Sequence, residues 1–135
     1  MRALFSYAAE TDGITVRVQP HYAAHESEPA EGRYMWHYHV RVENGSDRAV
    51  QLIDRHWVII EARGRRQEVA GPGVVGEQPV IEPGGSFDYV SGCPLETPSG
   101  QMEGSYGMVD EGGIAFRVAI PAFDLVSPAS RRSAH

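Results

Sequence analysis

Between positions 34 and 43 the side chains alternate without a break. Tyr34, Trp36, Tyr38, Val40 and Val42 fall on one parity and Met35, His37, His39, Arg41 and Glu43 on the other. A period of two places the aromatic and aliphatic set on one face of a β-strand and the polar set on the opposite face, so this stretch is a strand with one side against a core. Asn44-Gly45-Ser46-Asp47 follows. Asn-Gly tolerates the positive φ angles of tight turns, which predicts a hairpin in which the next run pairs antiparallel with the first. That run, 49–62, starts with Val50 and Leu52 in one phase and resumes with Trp57 and Ile59 in the other, which predicts a bulge near residues 54–56.

Further alternation occurs at Ile14, Val16 and Val18; at Phe87 and Tyr89; at Met102, Tyr106 and Met108; and at Ile114, Phe116, Val118 and Ile120. Turn signals separate these runs at Arg63-Gly64, 82–85, 98–100 and 110–113, and the 15 glycines and 9 prolines are spread along the chain. No segment sustains a helical period. The expectation is an all-β domain of about seven strands, an immunoglobulin or fibronectin type III-like two-sheet β-sandwich, with a small closed barrel as the rival architecture. One domain over residues 1–128 fits the chain length. The polar stretch 129–135, with Arg131, Arg132 and His135, lacks apolar partners and is expected to be disordered.

The net charge of −6 argues against nucleic acid as a partner. All 12 basic residues are arginine, so Schiff-base and phosphate-loop lysine mechanisms are excluded. Cys93 is the single cysteine, which excludes an intrachain disulfide and a cysteine-rich zinc cage and fits a reducing compartment. The apolar N-terminal stretch 3–9 is short and has no cleavage signature, and no run approaches the ~20 residues of a membrane-spanning helix. The expected location is cytoplasmic.

Several motifs then occur in a recognisable order. They are Tyr34-x-Trp36-x-Tyr38, Arg55-His56-Trp57, Gly71-Pro-Gly-Val-Val-Gly-Glu-Gln-Pro79, Pro83-Gly84, Phe87-x-Tyr89-x-Ser91-Gly92, Gly100-x-Met-x-Gly-x-Tyr-x-Met108 and Ile120-Pro-x-Phe-x-Leu125. This set, running from about Tyr7 to Pro128, closely resembles the ApaG family. The resemblance implies a fibronectin type III-like sandwich, a role in protein contacts, and a genetic link to diadenosine tetraphosphate hydrolysis and to resistance to divalent cobalt, without an established catalytic activity. His37 and His39 depart from the family pattern, where small or hydroxyl side chains are more usual.

The leading candidate site is the glycine-rich loop 71–79, with Gly71, Gly73, Val74, Val75, Gly76 and Gln78 as ligand-binding residues. Its G-x-G-x-x-G spacing matches the dinucleotide fingerprint, but that geometry needs a helix afterwards, and Val74, Val75, Gln78 and Pro79 do not begin one. Two uses remain: presenting the loop to a protein partner, or cupping a phosphate, pyrophosphate or dinucleoside polyphosphate with backbone N–H groups. Arg63, Arg65 and Arg66 lie at a turn ~15 Å from Gly71 if the intervening chain is extended. His37 and His39 point the same way from one strand and supply two metal ligands, to which His21, His25 or a carboxylate would have to be added. Cys93, Ser91 and His56 supply the residue types for nucleophilic catalysis without a nucleophile elbow. Arg55 is expected to bond loop carbonyls. No catalytic residue, metal site or cofactor is assigned, and the expectation is a non-enzymatic interaction module. Exposed sheet edges would also permit a homodimer.

Overall fold

The structure, a computed structural model, describes residues 5–133. Within the described residues nine strands form two antiparallel sheets. They are β1 (Tyr7–Thr11), β2 (Ile14–Tyr22), β3 (Tyr34–Asn44), β4 (Val50–Glu61), β5 (Arg66–Pro72), β6 (Val80–Ile81), β7 (Ser86–Leu95), β8 (Ser99–Asp110) and β9 (Ala115–Val126). One sheet has the order β1-β2-β3-β7, the other β5-β4-β8-β9, with β6 also on β4. The two-sheet sandwich agrees with the expectation, and the strand count exceeds it. β1 is only five residues long, β5 carries few apolar residues and β6 is two residues long, so none of them has a readable period.

The alternation of β3 holds throughout: Trp36, Tyr38, Val40 and Val42 are buried, and the histidines lie on the outer face. The core is made where the two inner faces meet. Trp57 of β4 contacts Tyr38 of β3 edge-on at 5.4 Å, and Phe123 of β9 lies 5.8 Å from Tyr38 and 6.0 Å from Trp57. Aromatic contacts of this kind add to the free energy of burying the rings themselves.

One local expectation needs correction. The Asn44-Gly45 segment is a corner between the sheets, because β3 pairs with β2 and β7 whereas β4 pairs with β5, β6 and β8. Neither residue has positive φ, so the turn chemistry read from the dipeptide is unused. Instead the buried Asn44 side chain holds the corner: Nδ2 donates to the carbonyls of Arg48 and Ile81, and Oδ1 accepts from the Ser46 backbone N–H and hydroxyl. The tight hairpin signal belongs to Asp12-Gly13, whose φ angles of 51° and 84° close the β1–β2 turn.

At the C-terminus, expected to be disordered from 129, the described residues include a short helical segment. Pro128–Ser133 form a short helix, α1, begun by a proline with φ suited to a first turn, and the Ser127 hydroxyl accepts from the Ser130 N–H. The final residues of that expectation, including His135, lie outside the described residues. The predicted bulge in β4 is present one to three residues earlier than read, as a register shift between Leu52 and Asp54.

The two long sides of the sandwich are closed differently. Along one, β1 and β2 pack against β9; the Ala119 N–H donates to Thr11 Oγ1 (3.1 Å) and the Asp124 N–H to the Tyr7 hydroxyl (3.3 Å). Along the other, the sheets end in β5 and β7, which do not pair with one another, and a cleft opens between them.

Candidate functional site

The loop between β5 and β6 is built on the bulge in β4. Ile53, displaced from the ladder, offers its carbonyl to both the Gly73 N–H (2.8 Å) and Gln78 Nε2 (2.8 Å). Arg55, two residues on, donates from Nη1 to the carbonyls of Pro72 and Gly73, both at 2.9 Å. The guanidinium therefore bonds the loop carbonyls, as the sequence reading expected.

Inside that frame Val74 and Glu77 exchange two backbone hydrogen bonds, of 2.8 and 2.9 Å, around a two-residue turn made by Val75 and Gly76 with φ of 44° and 81°. This is the backbone of a tight hairpin turn. Gly73 can only be glycine here: its φ is 62°, and a Cβ would stand 2.3 Å from the Glu77 carbonyl oxygen. Val74 turns inward and is buried, whereas Val75 is 54% exposed at the tip.

Of the six predicted loop residues, Val74, Val75 and Gly76 line the cleft between β5 and β7. Gly71 pairs with Arg55 in the ladder, and Gly73 and Gln78 anchor the hairpin. The N–H groups of Gly73, Val74 and Glu77 point at carbonyls of the chain itself.

The cleft has a volume of about 390 Å³, within the range of small-ligand sites. Its inner wall is aromatic and uncharged. Tyr38, Trp57, Tyr89 and Cys93 line it, and the Tyr89 hydroxyl bonds that of Tyr106, joining β7 to β8 across the interior. Burial pushes the Cys93 thiol up to about 12, with a smaller effect from the Glu61 carboxylate. Burial likewise raises Tyr38, Tyr89 and Tyr106 above the ordinary phenol value. At neutral pH the wall thus carries neutral hydroxyls and a neutral thiol, and Arg55 is the charged group among the lining residues. Such a surface is complementary in chemistry to apolar and hydrogen-bonding groups and presents no ionised nucleophile.

The remaining candidates do not converge. His56 turns outward and bonds Glu68 Oε1 at 3.1 Å, away from Cys93 and Ser91, which face the cleft. His37 bonds Glu26, and His39 Nε2 lies 2.7 Å from Asp88 Oδ1, so each histidine has its own carboxylate. Among the described residues no group of three or more His, Cys, Asp or Glu side chains is placed to hold a metal ion. Arg65 pairs with Glu96 and Arg66 with Glu68 at the far end of β5 from Gly71. No helix of the described residues is long and apolar enough to cross a membrane.

Sequence reasoning did not bring Tyr38, Trp57, Tyr89, Val69 and Gln67 into the site. The first three lie on the apolar parity of their strands, which reads as core. Only the open pairing of β5 and β7 turns them into a wall.

Comparison with known proteins matches residues 24–110 to the ApaG domain model. The chain is 58% identical over 125 residues to protein ApaG of Rhodospirillum centenum, covering 93% of this chain and 96% of that one. It is 56% identical over 129 residues to protein ApaG of Methylorubrum populi, covering 96% and 99%. A crystal structure of a Bordetella pertussis protein given the name ApaA superposes with a TM-score of 0.83 at 47% identity, covering 85% of this chain and 94% of that one. The match spans the bulge, the glycine hairpin and both walls of the cleft, and with near full-length identity on either side of it the chain belongs to the ApaG family.

Proposed function

We propose that this ApaG-family chain is a non-enzymatic binding module whose partner is a protein, and that the hairpin 73–78 and the cleft beneath it are its recognition surface. The supporting observation is Val75. A β-branched residue at positive φ is strained, and an apolar side chain half exposed at a loop tip gains little from burial. Strain of that kind persists where surrounding contacts over-determine it, and here Arg55, Gln78 and the Val74–Glu77 pair do so. A rigid tip that holds an apolar side chain out to solvent loses little conformational entropy when a partner covers it.

The uncharged wall of the cleft supports the same reading, since it is shaped to accept side chains and has no activated group. The test is a photo-crosslinking amino acid placed at Val75 and, separately, at Ile114, which is 61% exposed on the β8–β9 turn. In cells, position 75 should yield a discrete protein adduct that position 114 does not. Equal labelling from both positions, or none from 75, would remove the proposal.

A further inference from the structure

The cleft does not end at the hairpin. Past Gln67 and Pro94, which it shares, it continues into a second hollow of about 550 Å³ at the ends of β5 and β7. The chemistry changes along the way. The first hollow is walled by aromatics and Val75; the second contains Glu26, Glu28, Glu61 and Glu96 against Arg33 and Arg65. Arg65 is taken by Glu96 at 3.0 Å and Arg33 by Glu31 at 3.1 Å, outside the hollow. Among the described residues Glu28 and Glu61 form no ion pair, so this end carries uncompensated negative charge.

One wall of the groove is the edge strand β7. Pro94 sits within that strand opposite Met35 of β3, and a proline has no N–H to give to the ladder. Residues of its parity therefore turn their backbone groups away from β3. The Asn44 N–H bonding the Gly85 carbonyl puts the odd-numbered residues on the β3 side by the same count. Val90 and Gly92 thus offer N–H and C=O groups to the open edge, directly beside the cleft.

Resting on the binding-module reading above, we infer that the partner segment is an extended peptide that adds to β7 at Val90 and Gly92, places an apolar side chain in the aromatic cleft, and sets a lysine or arginine over Glu28 and Glu61. Each feature has one counterpart. A free edge pairs with a strand, alternate side chains of that strand fall on the cleft side, and the charge at the Pro94 end selects a basic residue.

A random dodecapeptide library displayed on phage and panned against the full chain tests this. The selected peptides should share an apolar residue and a basic residue at fixed spacing. Amide shifts caused by a synthetic copy should fall on Val90 and Gly92. The Glu28→Gln, Glu61→Gln double variant should weaken that peptide roughly threefold to fivefold per lost charge pair. Val90→Pro, which removes an outward N–H and no ladder bond, should weaken it about tenfold. Selection without a basic residue, or binding unchanged in the glutamine double variant, overturns the assignment, and that variant alters exposed or half-exposed side chains and so keeps the test open if Val90→Pro does not fold. Self-association of the chain abolished by Val90→Pro would place a second copy on the edge and overturn it as well. A protein adduct at position 75 together with failed peptide selection would refute the peptide class alone and leave the binding module standing.

Discussion

The two long sides of this sandwich solve the same problem in opposite ways. Where β1 and β2 meet β9, strand edges are stitched by side-chain acceptors, Thr11 and Tyr7, to backbone donors of β9, and Tyr7 packs 6.0 Å from the buried Phe123. Where β5 and β7 end the sheets, no strand bridges them. A pinned hairpin covers part of the gap, and buried tyrosines line what is left. The sealed side contributes stability; the open side keeps unpaired backbone and apolar wall accessible, as the proposed recognition surface requires.

The largest expected contrast comes from the sealed side. Phe123→Ala removes a ring with no exposed surface from the junction of Tyr7, Tyr38 and Trp57 and should cost about 3–5 kcal/mol in urea unfolding. Alkaline pH should act on the open side. Cys93 ionises near 9 in the unfolded chain and at about 12 in the fold, so its contribution is complete below pH 9 and is lost as pH rises towards 12. Stability should fall by roughly 1 kcal/mol per pH unit from this group across that window, the raised tyrosines steepening the loss above pH 10. In Cys93→Ala the decline below pH 10 should disappear. An unchanged decline would mean that the thiol is not the responsible group.

Arg55→Ala leaves two loop carbonyls without their donor and should cost about 1–3 kcal/mol. The informative readout is local: hydrogen exchange of the Val74 and Glu77 amides should accelerate well beyond that of β9. Uniform acceleration would show that the hairpin is not a separate unit. Thr11→Val, which removes one acceptor from the sealed seam, should cost only about 0.5–1.5 kcal/mol and leave partner binding untouched.

How far the sequence reveals these two sides follows from what each strand contacts. β3 is legible because one face is buried along its whole length and the other is not. β5, Arg66-Gln-Glu-Val-Ala-Gly-Pro72, is an edge strand with both faces largely in water, so burial imposes no period on it. Asn44-Gly45 misleads because a dipeptide reports its permitted φ angles, whereas the corner is set by long-range bonds from the Asn44 side chain. The loop is recognisable from its glycines, and Arg55 as its tether, but the identity of the cleft wall is not. Tyr89 and Trp57 are core-phase residues whose second role depends on which strands fail to pair.

The central claim is that the hairpin holds Val75 under strain for recognition, and Val75→Gly tests it most directly by two measurements on one variant. Unfolding free energy should rise by about 0.5–1 kcal/mol as the positive φ is relieved, while the protein partner captured from this site loses affinity. A variant that is less stable, or one that is more stable and binds that partner as before, would contradict the account.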